Sequence, residues 1–182
     1  RHYPSGLLWT HKNYIDGFVV PKILFDYDFP MPHFFGGANL NIPILGFFLR
    51  RAGGIFIRRS FQDNEVYKLS LKQYIGYLME KRFPMTWSFE GTRSRLGKLM
   101  PPKYGLLKYV LEGAHHAGSQ DIHIIPVSVS YDLVRDAEEY AREQSGTPKA
   151  PESVGWMVRY IKSLARPMGL IHVDFGAPVR LD

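Results

Sequence analysis

The chain has 182 residues, 45% of them apolar and 22% charged, a composition that suits one globular domain with a sizeable core and excludes disorder. It contains no cysteine, which removes disulfides, thiolate zinc sites and a cysteine nucleophile and is compatible with a reducing cytosol. The net charge of +6 and pI of about 9.5 favour an anionic partner: nucleic acid, a phosphorylated metabolite or an anionic membrane surface.

The first apolar run, GLLWT (6–10), predicts a strand that leads directly into THKNYID. There His11 stands five residues before Asp16. With seven His and nine Asp in the chain, about a third of a match to that spacing is expected by chance. A second match occurs at His116 and Asp121, in HAGSQD. On one continuous helix, residues five apart lie about 140° from each other around the axis. The pair therefore meets only if His11 sits in an irregular strand-to-helix turn and Asp16 in the first helical turn, where Asp is favoured anyway. His116 instead falls at the tail of a predicted helix, where His115 and His116 complement the helix dipole.

Residues 29–49 carry no Asp, Glu, Lys or Arg, over about the length that spans a bilayer. Three prolines, three glycines, two asparagines and a histidine exclude a transmembrane helix there. Its end, GFFLRR, joins Phe47 and Phe48 to Arg50 and Arg51. That combination suits a lipid headgroup layer, and equally a short amphipathic core helix capped by arginines.

Further strands are predicted at HFFGGA (33–38), GIFI (54–57), MTWSF (85–89), HIIPVSVSY (123–131) and LIHVDFG (170–176). Helices are predicted over 43–52, 65–83, 104–117, 134–144 and 152–166, with a Ser-Gly-Thr-Pro loop at 145–148. The alternation predicts a single layered α/β domain over residues 1–182, with a mostly parallel sheet flanked by helices. A first residue of Arg rather than Met reads as a piece of a longer chain. Sites in such sheets form at the C-terminal ends of strands. Pro126 cannot donate to a ladder, which predicts an edge, a bulge or a strand end at a site.

Three more segments lie at strand ends. GGIFIRRSF (53–61) delivers Arg58 and Arg59, whose planar forks suit a phosphate dianion. SFEGTRSRLGK (88–98) supplies the carboxylate of Glu90, the permissive backbone of Gly91, and Arg93, Arg95 and Lys98. The last is IIPV (124–127).

In this order the four blocks THKNYID, GGIFIRRSF, SFEGTRSRLGK and IIPVSVSYD resemble the glycerolipid acyltransferase family over nearly the whole chain. FGGANLNIP and the IPVSVSYD ending are similar to the glycerol-3-phosphate acyltransferase branch, closest to bacterial forms. Many relatives have Arg-Ser where this chain has Lys12 and Asn13, and some bacterial relatives have Gly in place of Thr92. Neither departure touches the His11–Asp16 pair.

The resemblance implies a membrane-associated transferase, peripheral or monotopic on the cytoplasmic face, acting in phospholipid biosynthesis. It would carry a fatty acyl group from acyl-CoA or acyl-carrier protein to the sn-1 hydroxyl of glycerol 3-phosphate. No metal or further cofactor is implied. His11 is then the general base and Asp16 its orienter. Arg59 takes the acceptor phosphate in a pocket shaped by Phe56, Glu90 and Gly91 position acceptor and reacting centre, and Pro126 lines the site. Arg58 and Arg93 join the substrate-binding set on charge and placement. Dihydroxyacetone phosphate and lysophosphatidate are the rival acceptors. A non-catalytic basic module is a rival of another class, but the chain has no recognisable nucleic-acid-binding motif, so no nucleic-acid partner is expected.

Overall fold

The computed structural model describes residues 3–58, 60–61, 63–94, 98–119, 121–132, 141, 145, 154–164 and 169–181. Arg59 and Arg95 lie outside them, as do the helix expected at 134–144, except Ala141, and the loop at 145–148, except Ser145.

The apolar runs form strands β1 (Ser5–Trp9), β2 (His33–Gly37), β3 (Gly54–Ile57), β4 (Met85–Ser88), β5 (Ile122–Tyr131) and β6 (Ile171–Phe175). A short β7 (Val179–Leu181), too brief for a pattern in the sequence, follows. Between them run helices α1 (Asp16–Asp26), α2 (Leu45–Arg51), α3 (Glu65–Glu80), α4 (Gly105–His116) and α5 (Val154–Leu164). Asn64 starts α3 by accepting from the Tyr67 amide at 2.9 Å, and Arg82, at φ +56°, turns the chain out after it.

The strands join in the order β3-β2-β4-β1-β5-β6, with β7 also on β5. The first five are parallel, while β6 and β7 run antiparallel to β5. The expected layered, mostly parallel α/β architecture is therefore present. Alternation along β1 sends its side chains to opposite faces. Leu8 joins Trp87 and Phe35 against Leu71, Ile75, Leu78 and Met79 of α3 and Val110 and Ala114 of α4. Leu7 and Trp9 join Val127 and Val129 against Val20 of α1. Helices thus cover both faces of the sheet. Where α3 meets α4, a Cβ on Gly76 would stand 2.9 Å from the Gly113 carbonyl oxygen, so only glycine permits that approach.

Pro126 departs from expectation, being neither on an edge strand nor at a strand end. It pairs with Leu8 inside β5, at the point where the outer partner changes from β7, opposite Ile122–Ile124, to β6, opposite Val127–Tyr131. A strand residue's nitrogen and carbonyl face the same side. The missing donor therefore faces the gap between β6 and β7, where the Pro126 carbonyl accepts from the Gly176 amide at 2.8 Å.

Candidate active site

The site is built on the end of β1, between its neighbours β4 and β5. Thr10 continues the ladder by one residue, its amide donating to the Val127 carbonyl at 3.3 Å. His11 then leaves the sheet, and α1 begins at Asp16. This strand-to-turn-to-helix path is what lets residues five apart converge. His11 Nδ1 lies 3.3 Å from Asp16 Oδ2, with Asp16 fully buried and His11 partly exposed. The same Oδ2 accepts from the backbone amides of Lys12 at 2.6 Å and Asn13 at 2.7 Å. The other oxygen, Oδ1, accepts from the Tyr131 hydroxyl of β5. Asp16 is thereby a buried carboxylate whose two oxygens are both held by donors. Such an acceptor fixes the proton on Nδ1 and leaves the His11 Nε2 lone pair for a substrate. Trp9 meets the imidazole edge-on at 4.9 Å between centroids, which holds the ring plane.

The third block is stitched to the first through the backbone. Phe89 N–H donates to the Trp9 carbonyl at 3.2 Å, and Ser94 N–H to the His11 carbonyl at 2.7 Å. Between these anchors the chain turns sharply at Gly91, whose φ of +66° favours glycine, and a Cβ there would stand 3.0 Å from Lys103 Cδ. The turn places Glu90 beneath the His11 backbone. Glu90 is fully buried and, among the described residues, neither carboxylate oxygen completes a hydrogen bond. Burial pushes its carboxyl above the ordinary value, opposed by the nearby Met100 and His11 amides and by the charges of His11 and Lys12. Arg93 is buried too, its guanidinium 4.5 Å from the Tyr14 ring centroid. That placement differs from the solvent-facing arginine that a basic loop suggests.

His11, Asp16, Glu90 and Gly91 thus share one neighbourhood, with Arg93 at its rim on Tyr14. Phe56 and Arg58 lie elsewhere, in a cleft of about 390 Å³ shared with Asn41, Arg50, Tyr67 and Tyr74. The cleft follows β3, the edge strand, three strand spacings from β1, or about 14 Å. Register sets Phe56 opposite Gly36 of β2, and Arg58 follows one residue after the strand, at the end of the sheet where His11 also lies. The Arg58 guanidinium sits 5.1 Å from the Tyr67 ring centroid, and Arg50 lies 5.6 Å from that of Phe56 while donating to Asn41 Oδ1 at 2.6 Å. Pro126 belongs to neither cluster. It is exposed and shares the sheet face of Ile122 and Ile124, away from Val127 and Tyr131.

Residues 7–130 match the family model described as Acyltransferase, and residues 140–182 match one described as the glycerol-3-phosphate acyltransferase C-terminal region. The chain belongs to the glycerolipid acyltransferase family. It is 34% identical over 181 residues to a Mycobacterium tuberculosis protein named acyltransferase plsB1, covering all of this chain and 29% of that one. It is 35% identical over 183 aligned residues to the dihydroxyacetone phosphate acyltransferase of Bos taurus, covering 27% of it. The chain spans less than a third of the length of these curated relatives. Among solved structures it shares the fold of the 1-acyl-sn-glycerophosphate (LPA) acyltransferase PlsC from Thermotoga maritima. There the TM-score is 0.54 and the identity 18%, over 99% of this chain and 57% of that one. Within this family member, sequence reasoning passes over Tyr131 and Asn13 as parts of the site. Tyr131 stands in the IPVSVSYD block, and its place there is the one signal that could have found it.

Proposed function

We propose that the chain transfers a fatty acyl group from a thioester donor, acyl-CoA or acyl-carrier protein, to the sn-1 hydroxyl of glycerol 3-phosphate. The observation that carries this reading is the buried Asp16 holding His11 Nδ1, with Nε2 left as a base. His11 takes the hydroxyl proton as the alkoxide oxygen bonds to the thioester carbonyl carbon. The tetrahedral intermediate then expels the thiolate, which takes the proton back from the imidazolium. Acceptor and donor meet directly, because the chain has neither a cysteine nor a G-x-S-x-G nucleophile turn to carry the acyl group. Holding both substrates in register can account for about 7–11 kcal/mol of the barrier. By family resemblance the acceptor phosphate falls to Arg59, with Phe56 and Arg58 as the other expected contributors to its binding.

The match of residues 140–182 to the glycerol-3-phosphate acyltransferase region favours this acceptor. The similarity to a dihydroxyacetone phosphate acyltransferase supports the ketone analogue as second reading. Membrane association on the cytoplasmic face goes with either. No helix among the described residues is long and apolar enough to cross a membrane, but α2 exposes Phe47 and Phe48, which are 53% and 62% accessible, beside Arg50 and Arg51. The test is a radiolabelled acyl-transfer assay with glycerol 3-phosphate, dihydroxyacetone phosphate and lysophosphatidate side by side, on each donor. Preference for glycerol 3-phosphate with product at sn-1 is expected, and preference for either other acceptor would replace this reading. Arg59→Lys should raise the acceptor KM strongly, because a point charge replaces a fork. An unchanged KM would remove Arg59 from the phosphate site.

A further inference from the structure

The loop between His11 and Asp16 has a third support, and it comes from the far end of the chain. The Tyr160 hydroxyl, on α5, donates to Asn13 Oδ1 at 2.8 Å. Asn13 is buried, and its Oδ1 also accepts from the Ile15 amide at 3.2 Å. Its backbone N–H is one of the two that converge on Asp16 Oδ2. The Tyr160 ring stands edge-to-face on Tyr14 at 5.6 Å, and Tyr14 carries the Arg93 guanidinium on its ring face. One α5 side chain therefore touches two consecutive residues of the first block and, through Tyr14, reaches the third.

We infer that Tyr160 is a positioning residue for the His11–Asp16 pair, acting through Asn13. The consequence is that α5, which belongs to the region matched separately at 140–182, completes a site whose chemistry lies within 7–130. The physical argument concerns rotamer and register. Asn13 has one carbonyl oxygen with two lone pairs, and Ile15 N–H and Tyr160 O–H fill both. So pinned, the side chain fixes the turn that points the amides of residues 12 and 13 at Asp16. Asp16 in turn sets the plane and tautomer of His11. Without the hydroxyl, Asn13 Oδ1 keeps only its local bond from the Ile15 amide, and the turn loosens by one constraint. The inference rests on His11 being the base, so its test needs a readout independent of turnover.

The test is a double-mutant cycle in the intact chain, using Tyr160→Phe and Asn13→Ser. Phe keeps the ring against Tyr14 and deletes only the hydroxyl, and Ser is too short to reach that hydroxyl from position 13. Tyr160→Phe is expected to lower kcat about five- to tenfold, the scale of one buried hydrogen bond, with both substrate KM values unchanged and the melting temperature lowered by no more than about 4 °C. In the Asn13→Ser background the same change should have no further effect, because the acceptor it acts on is gone. Equal losses in both backgrounds would overturn the inference, as would a fall in kcat that merely tracks a fall in melting temperature. The second readout is nitrogen-15 NMR of the His11 ring in the resting protein. A smaller Nδ1-protonated fraction is expected in Tyr160→Phe, and an unaltered fraction would also overturn the inference. The NMR measurement needs no substrate. A protein that acylates none of the three acceptors would therefore defeat the proposed function while the effect of Tyr160 on the His11 ring stayed measurable.

Discussion

THKNYID and HAGSQD contain the same histidine-to-aspartate spacing and end in opposite structures. In the first, Asp16 is fully buried, four groups bond to it, and His11 is one of them. In the second, His116 is exposed in the last turn of α4, with its Nε2 3.1 Å from Gln73 Nε2. Asp121 turns away at φ +61°, pairing with Arg180 of β7 and accepting at its carbonyl from His123. The difference follows from the element each pair spans. The first crosses from a strand end into a helix start, where free amides collect and a carboxylate is welcome. The second crosses from a helix end into a strand start, where the free groups are carbonyls and an aspartate finds no backbone donors. Chain polarity at the junction, rather than spacing, decides which pair becomes a dyad.

The sharpest break between the two is functional. His11→Ala should lower acyl transfer by at least the 10²–10⁴-fold associated with a general base, while His116→Ala should leave kcat and KM where they were. Paired steady-state assays decide it, and a dead His116 variant would invert the comparison. A somewhat smaller effect separates the aspartates. Asp16→Asn keeps the size but offers one acceptor oxygen to donors that now hold two, and turns an N–H₂ toward another donor. Activity should fall about 10²–10⁴-fold, and urea unfolding should show a loss of about 1–3 kcal/mol for the stranded buried donors. Asp121→Asn exchanges an exposed ion pair at a position where Asn is equally at home in the left-handed region. Its stability should change by less than about 1 kcal/mol.

Much of this contrast is readable before any coordinates. The strand nature of GLLWT, GIFI and MTWSF is a local pattern and maps onto β1, β3 and β4 as expected, with the first three blocks following those strands, while the IIPV block lies inside β5 rather than at its end. Asp16 in a first helical turn was the condition that helix geometry set for the pair to meet, and α1 fulfils it. What could not be read is carried by contacts with no local signature. Tyr131 meets Asp16 across 115 residues and Tyr160 meets Asn13 across 147, and no periodicity reports such a pairing. The burial of Arg93 was hidden for a related reason. A run of basic residues reads as a solvated loop until Tyr14, from another segment, supplies a ring face to lie on. Pro126 was legible as an exception but not as a kind of exception. The gap it faces exists only because β6 and β7 share one edge of β5, which no pattern within HIIPVSVSY announces.

The smallest expected effect probes the floor under the first pair. Glu90 lies buried near the His11 backbone, without a completed hydrogen bond among the described residues, and burial raises its pKa above the ordinary 4.5. A group raised in the folded state stabilises the protein fully below its unfolded value and loses that contribution as pH rises through the folded value. Wild-type melting temperature should therefore decline as pH climbs from about 4.5 toward neutrality, by the part that Glu90 contributes. Glu90→Gln puts a neutral amide in the same volume, so this part of the slope should disappear while the low-pH melting temperature stays close to wild type. Thermal melts by circular dichroism at stepped pH measure it. A slope unchanged by the substitution would mean that Glu90 is ionised at the same pH folded and unfolded, and that the carboxylate beneath His11 is charged. A flattened slope together with retained kcat would leave Glu90 as a buried support of the turn that carries Gly91 and Arg93, with no part in the chemistry. A flattened slope with lost kcat would give the carboxyl proton itself a part in binding or transfer.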